Sequence, residues 1–351
     1  MQAAMRIDEF IERLRAALSW EDTAFSKAVR SVYNRELTER VDTAVAAVAT
    51  IDSSAAEVAH LLLESLTPAG YSDFISAPHI ASMIISPAML SHSVHRKFFL
   101  KTLGICAGCI SDDAALYNHR GENIAPRAGD PGKRGPGSHY AVNFGGELTI
   151  PYMDRGGNCL RPVSPDDATV ILSKLKSAER LIMKINRNTG AFSRHHTEVL
   201  AFRYEDEYPN GFSSGSFQTL PGFSLICNCH LPSVSERVLA DAIVHEAIHG
   251  IIYRFEAFGE RLLKGDKAGC PQVSSPWTGA RLSVESFAQA CLVWFGLHHF
   301  WKDASGSESR GFDERATKGF ISSDYTPCCR LSAEYLSPGA ALRLEELAHH
   351  L

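Results

Sequence analysis

The segment from Leu239 to Glu256, LADAIVHEAIHGIIYRFE, constrains the fold of this chain more than any other stretch. Its apolar residues recur at the three- and four-residue spacing of a buried α-helix. His245, Glu246 and His249 interrupt this run as an HExxH pattern, which arises rarely by chance in a chain with 15 histidines among 351 residues. Residues four apart lie on one face of a helix. The spacing therefore predicts that His245 and His249 bind one metal ion.

Composition and charge exclude several classes of protein. The chain is 45% hydrophobic and 21% charged, which is typical of a globular protein. Its net charge of -5 argues against binding nucleic acid or an anionic membrane, because both require clustered Lys and Arg. The most apolar helical run, Ala288 to Phe300, is shorter than the roughly 20 residues of a membrane span. We therefore expect neither nucleic acid nor membrane as a partner.

The N-terminal segment and the cysteines indicate the compartment. The first twenty residues, MQAAMRIDEFIERLRAALSW, interleave charged and apolar positions and lack the apolar run of a secretory signal. The nine cysteines are an odd number and include one CxxC, Cys106 to Cys109, without a second pair at zinc-ribbon spacing. We expect a cytoplasmic protein with free thiols, and a buried or structural role for this pair.

Periodicity predicts an α+β fold that is predominantly helical. Residues 1–118 form a helical layer, and the Gly- and Pro-rich residues 119–140 form a loop. Residues 141–351 form a metal-binding catalytic domain of zincin-like type, with a small sheet and the HExxH helix. Ser233 and Glu236 are spaced as a capping box that opens this helix. The other expected elements are a helix at 165–185, strands within HTEVLAFRYE and FSLICNC, and helices at 281–301 and from 337 onwards.

The third metal ligand is predicted to be Glu285. It lies 36 residues after His249, at the head of an otherwise apolar helix. A carboxylate that enters a core is costly unless it is paired or bound to a metal. The alternative is that Glu285 only favours the dipole of its own helix. Gln289, one turn later, is placed either to hydrogen-bond a ligand or to face solvent, and the rival third ligands are His195, His196, His230, His298 and His299.

Two histidines and one carboxylate serve two chemistries. With zinc, Glu246 would act as the general base that deprotonates water for attack on a peptide bond, as in thermolysin-type peptidases. With Fe(II), the three ligands form a 2-His-1-carboxylate triad that leaves positions for 2-oxoglutarate and O₂. An oxygenase also requires a cation for the far carboxylate of 2-oxoglutarate, for which Arg281 and Arg254 are the candidates.

Three segments resemble the HEXXH motif-containing peptide-modification proteins, which occur with ribosomally made peptide natural products. GFSSGSFQTLPGFSLI resembles the Ser-rich turn, Pro-Gly and strand of that family. ERVLADAIVHEAIH is similar to its motif helix, and SSPWTGAR resembles its Ser-Pro-Trp segment. The resemblance covers residues from about Leu172 to Trp301 and implies an Fe(II)- and 2-oxoglutarate-dependent hydroxylase that acts on β-carbons of peptide residues. Thr278 stands where the family has Arg, and Glu285 stands where its members usually present His.

Three hypotheses follow. The first is a peptide-modifying oxygenase in which His245, His249 and Glu285 hold Fe(II) and Arg281 binds 2-oxoglutarate. The second is a gluzincin-type zinc peptidase that requires Glu246 and uses FSLICNC as an edge strand for extended substrate. The third is a non-catalytic module whose metal site is closed by a fourth ligand such as His298 or Cys229. The oligomeric state is not indicated by the sequence.

Overall fold

The computed structural model describes residues 5–109, 140–144, 160–265, 270–304 and 306–351. The predicted loop spans residues 119–140. Its residues 119–139 lie outside the described residues, and only Tyr140 is described. Within the described residues the predicted class is confirmed, because most of them are helical and a small mixed sheet is present. The zincin-like character of the fold and the predicted domain boundaries remain predictions.

The chain has the following elements in order. The helices are α1 Ile7–Ala17, α2 Ala24–Ala49, α3 Ser53–Ser65, α4 Pro68–Ser76, α5 Pro78–Ile85, α6 Ser93–Cys106, α7 Pro165–Ile185, α8 Arg187–His196, α9 Glu236–Glu256, α10 Val284–Lys302, α11 Ser307–Lys318, α12 Tyr325–Ser332 and α13 Ala340–Glu346. The strands are β1 Ala141–Asn143, β2 Leu160–Pro162, β3 Val199–Glu205, β4 Ser213–Ser216, β5 Phe223–Cys227, β6 Gln272–Ser274 and β7 Arg281–Ser283. Short 3₁₀ helices occupy Pro87–Ser91 and Leu347–His350.

The chain divides into two compact units. We call the first the motif unit, which comprises Met1–Arg30, Glu179–His196 and Ala240–Leu351. The second, the sheet unit, comprises Ser31–Ala178 and Thr197–Leu239. The chain therefore passes between the units several times, and the HExxH residues belong to the motif unit.

The core of the motif unit is built from apolar helix faces. Helix α1 buries Ile7, Phe10, Ile11 and Leu14, which recur at three- and four-residue spacing. The ring of Phe10 stacks on that of Phe255 with their centroids 3.9 Å apart. Helix α10 buries most of its circumference, as expected for a helix that is apolar all round. These contacts fix α9 and α10 against the rest of the unit.

The sheet unit contains a mixed sheet in the order β1-β3-β5-β4, with β2 paired to β3. Strands β1 and β5 run parallel to β3, whereas β2 and β4 are antiparallel to their neighbours. Strands β3 and β5 are the predicted HTEVLAFRYE and FSLICNC strands. Because β5 pairs with β3 on one side and β4 on the other, the prediction that FSLICNC is an edge strand is wrong.

The structure corrects two helix starts near the motif. Helix α9 begins at Glu236, where Ser235 rather than Ser233 caps it by accepting a hydrogen bond from the Val238 amide at 3.4 Å. Helix α10 begins at Val284 with Ser283 as its cap. Residues Arg281–Ser283 form strand β7 of the antiparallel hairpin β6-β7 instead of a helical turn. The sequence predicts a cap for α9, but the position of a cap depends on where the chain leaves the preceding loop or strand.

No helix among the described residues is both long enough and apolar enough to cross a bilayer.

Candidate metal site

Four side chains follow one face of helix α9 at four-residue intervals: Asp241, His245, His249 and Tyr253. Residues at this spacing stack along a helix, each lying about one turn from the next. The rings of His245 and His249 are accordingly neighbours, with centroids 5.1 Å apart. The structure therefore brings together the two predicted histidine ligands on one surface of the motif unit.

Both imidazoles are neutral at ordinary pH. Burial by the surrounding protein lowers the pKa of His245 to about 4 and that of His249 to about 4. Asp241 opposes this shift at His245, and Glu246 opposes it at His249. Each residue retains partial solvent exposure. Neutral, partly exposed imidazoles are the form in which histidine binds a metal.

Gln289 holds His249 in a defined orientation. The two residues share a hydrogen bond of 3.0 Å between His249 Nδ1 and Gln289 Oε1. Because an amide oxygen only accepts, Nδ1 carries the hydrogen and Nε2 keeps its lone pair. The Tyr253 hydroxyl donates to the same oxygen at 3.2 Å. The contact predicted for Gln289 is present, and it has the form that orients histidine ligands in metal sites.

The two glutamates of the predicted site are both buried. Glu246 is 1% exposed and Glu285 is 7% exposed. The charges of both raise the pKa of Tyr253, whose burial is the larger cause of that shift. Glu285 also faces Arg261, with 3.7 Å between guanidinium and carboxylate. Helix α10 thus carries Glu285 and Gln289 on the side that faces the motif helix.

The described residues contain no group of three or more His, Cys, Asp or Glu side chains placed to hold one metal ion. His245 and His249 supply two donors of the correct kind, one of them oriented through Nδ1. In the described arrangement Glu285 does not complete a set of three with them. The donor chemistry fits Zn²⁺ or Fe(II), and the third ligand remains a prediction.

The two arginines considered for 2-oxoglutarate lie in different settings. Arg254 is 3% exposed and donates to the backbone oxygen of His195, with His196 Nδ1 also within 3.3 Å. Arg281 lies on strand β7, is exposed, and donates from Nε to Gln272 Oε1 at 2.9 Å. Arg254 therefore supports the packing of α8 against α9. Arg281 is not one helical turn before Glu285, as the sequence had suggested.

The rival histidines have other neighbours. Ser26 Oγ lies 3.1 Å from His195 Nδ1 and 2.9 Å from His196 Nε2. His298 Nδ1 lies 2.6 Å from an Asp313 carboxylate oxygen. His230 belongs to the sheet unit, where its ring lies edge-on to that of Tyr204. None of these contacts joins a rival histidine to the His245–His249 pair.

Sequence reasoning missed three residues beside this pair. Asp241 and Tyr253 continue the four-residue spacing in both directions, so the spacing itself was a usable signal. Arg315, on α11, lowers the pKa of His245 by its charge and pairs with Asp241 at 2.6 Å. No local pattern marks Arg315, because only the packing of α11 brings it to α9.

Neither the protein-family models nor the curated proteins match this chain. The resemblance to HEXXH motif-containing peptide-modification proteins therefore rests on the three segments quoted above.

Replacing Gln289 should weaken metal binding without unfolding the protein. Gln289→Ala removes the acceptor for His249 Nδ1, and loss of such an outer partner typically costs roughly 10- to 100-fold in metal affinity. Gln289→Glu retains an acceptor and should bind metal at least as tightly as wild type. Competition with a chromogenic chelator measures the affinity, and equal values for wild type and Gln289→Ala would contradict an orienting role.

Proposed function

We propose that this protein is a metal-dependent peptide-modifying enzyme, an Fe(II)- and 2-oxoglutarate-dependent hydroxylase of a peptide or amino-acid side chain. The observation that carries the proposal is the pair of neutral imidazoles on helix α9, one of them oriented by Gln289. Fe(II) would be held by His245, His249 and Glu285. The resemblance to peptide-modification proteins supports a peptide as the substrate.

Glu285 is the ligand that needs a local adjustment. Its carboxylate is buried, and a metal cation nearby would favour its charged form. The ion pair with Arg261 is long at 3.7 Å, and the Arg261 side chain is 46% exposed. Glu285 would therefore have to move towards the histidines to complete the ligand set.

The cofactors would carry out the oxidation, and the side chains of the protein would hold the metal in place. When bound, Fe(II) and 2-oxoglutarate activate O₂, so that a C–H bond becomes C–OH while 2-oxoglutarate is converted to succinate and CO₂. His245 and His249 would present their donor nitrogens from the same face of α9, because both residues belong to this buried helix. Glu246 has no obligatory proton transfer in this reaction. Its burial beside His249 suits it to balance the charge of the site.

A gluzincin-type zinc peptidase is the alternative, and one observation favours it. Glu246 is buried next to His249, where a general base for peptide hydrolysis is expected in an HExxH enzyme. Tyr253, on the same helix face, adds a hydroxyl close to the site. The position of β5 inside the sheet removes the edge strand that was expected to bind extended substrate.

Substitution of Glu246 separates the two enzymes. Glu246→Gln keeps the shape of the side chain but removes the base. We expect this variant to consume 2-oxoglutarate at a rate within about tenfold of wild type when Fe(II) is present. A peptidase would instead lose its hydrolysis by at least the 10²- to 10⁴-fold that general base catalysis contributes.

The decisive measurement is the metal content of protein purified anaerobically, followed by an assay of succinate formation with added Fe(II) and 2-oxoglutarate. One equivalent of iron and succinate formation support the hydroxylase. One equivalent of zinc without succinate formation, together with cleavage of a peptide library, would replace it with the peptidase.

A further inference from the structure

Arg315 is held in place by Asp241, the residue one helical turn before His245 on the same face of α9. Its Nη2 donates to Asp241 at 2.6 Å, and Asp241 also accepts from Trp301 Nε1 at 2.7 Å. The guanidinium carbon lies 5.3 Å from the ring centroid of Trp294 and 5.2 Å from that of Phe312. A carboxylate and two aromatic faces therefore fix a side chain that would otherwise be flexible.

The same surroundings place Arg315 near the His245–His249 pair. The ring of Trp294 lies edge-on to that of His245, with 6.4 Å between centroids, and stacks on Trp277 at 6.0 Å. Trp294 is thus in contact range of Arg315 on one side and His245 on the other. Asp241, with which Arg315 pairs at 2.6 Å, lies one helical turn before His245 on the same face of α9.

Much of the guanidinium remains available. Arg315 is 47% exposed and carries five N–H donors, of which one bonds to Asp241. Among the described residues no other side chain or backbone oxygen accepts a hydrogen bond from it. An arginine whose position is fixed while its outer donors face solvent is preorganised for a planar anion.

We propose that Arg315 is the residue that binds a carboxylate of the reactants beside the His245–His249 pair. This inference rests on the proposed function, and it moves the anion-binding role from Arg281 to Arg315. The ligand class is a carboxylate, supplied either by the distal end of a 2-oxo dicarboxylic acid or by the peptide substrate. Asp241 and Trp294 are positioning residues that act through Arg315.

The first experiment measures binding of 2-oxoglutarate and of 2-oxopentanoate, which lacks the distal carboxylate, to Fe(II)-loaded protein without O₂. Calorimetry supplies the affinities. If the dicarboxylic acid is the ligand, wild type prefers 2-oxoglutarate by roughly 10- to 100-fold, the range expected for charged hydrogen bonds. Arg315→Gln should bind the two compounds equally.

The second experiment addresses the peptide as the source of the carboxylate. Wild type is offered matched peptide pools with free or amidated C-termini, and with aspartate or asparagine. A preference for the charged member that disappears in Arg315→Gln also supports the inference. This preference can be measured without metal, so its outcome does not depend on the metal site.

Control variants separate binding from folding. Arg310→Gln removes an arginine from the same helix that is 80% exposed and paired only on the surface with Glu314, and it should leave every preference unchanged. Arg315→Lys keeps the charge opposite Asp241 and should fold as wild type with intermediate carboxylate affinity, because ammonium lacks the planar fork. Thermal unfolding of each variant checks the fold.

The outcomes are distinguishable. Wild type that binds no metal contradicts the proposed function, while the peptide pools still report on Arg315. Metal-bound wild type with carboxylate preferences that are absent, or that are unchanged in Arg315→Gln, overturns the assignment of Arg315 alone.

Discussion

Alanine at His245 or at His249 is expected to remove the bound metal. Each histidine is one of the three proposed ligands. The free energy of metal binding in structural zinc sites is about 10–16 kcal/mol, which is roughly 3 kcal/mol for each of four ligands. Loss of one imidazole should therefore weaken binding by 100-fold or more on the same order-of-magnitude scale. Elemental analysis after dialysis measures the occupancy.

Two further variants complete this series. Glu285→Ala is expected to lose metal to a similar extent, and full occupancy in that variant would remove Glu285 from the ligand set. His298→Gln is the matched control, since His298 lies on α10 and pairs with Asp313 rather than with the HExxH histidines. Loss of metal from His298→Gln would instead favour a closed, non-catalytic site.

Alanine at Gly250 is expected to destabilise the motif unit by about 3 kcal/mol, the upper part of the range for overpacking. A Cβ at this position would lie 2.3 Å from the backbone oxygen of His196 and 3.2 Å from its carbonyl carbon. Backbone atoms cannot rotate away as the end of a side chain does, so α8 or α9 must shift. Because Gly250 follows His249 directly, the shift should also reduce metal affinity.

Gly311→Ala is the control for this substitution. Gly311 lies inside helix α11, and a Cβ there would meet no atom within 4 Å. Replacing an exposed helical glycine by alanine should stabilise by about 0.5–1 kcal/mol. Urea denaturation of the two variants should therefore move in opposite directions. Equal midpoints for Gly250→Ala and wild type would show that α8 and α9 do not cross as closely as described.

Periodicity predicted the long elements well. Helix α7 runs from Pro165 to Ile185, as predicted, and α1 lies within the segment that was predicted to be helical. Element ends were less predictable. Whether Arg281 continues a helix or forms a strand depends on its pairing with Ser274, a partner contributed by a different segment.

The sequence by itself determined the pairing of His245 with His249, because residues four apart on a helix share a face whatever surrounds them. It also made Gln289 a candidate partner for a ligand, since Gln289 lies one turn after Glu285. Only the tertiary structure decided which arginine lies beside the histidines. Arg281 is closer in sequence, but Arg315 shares the neighbour Trp294 with His245, because α11 packs on α10 and Asp241 holds its guanidinium. Such contacts join segments far apart in the chain, so no local pattern records them.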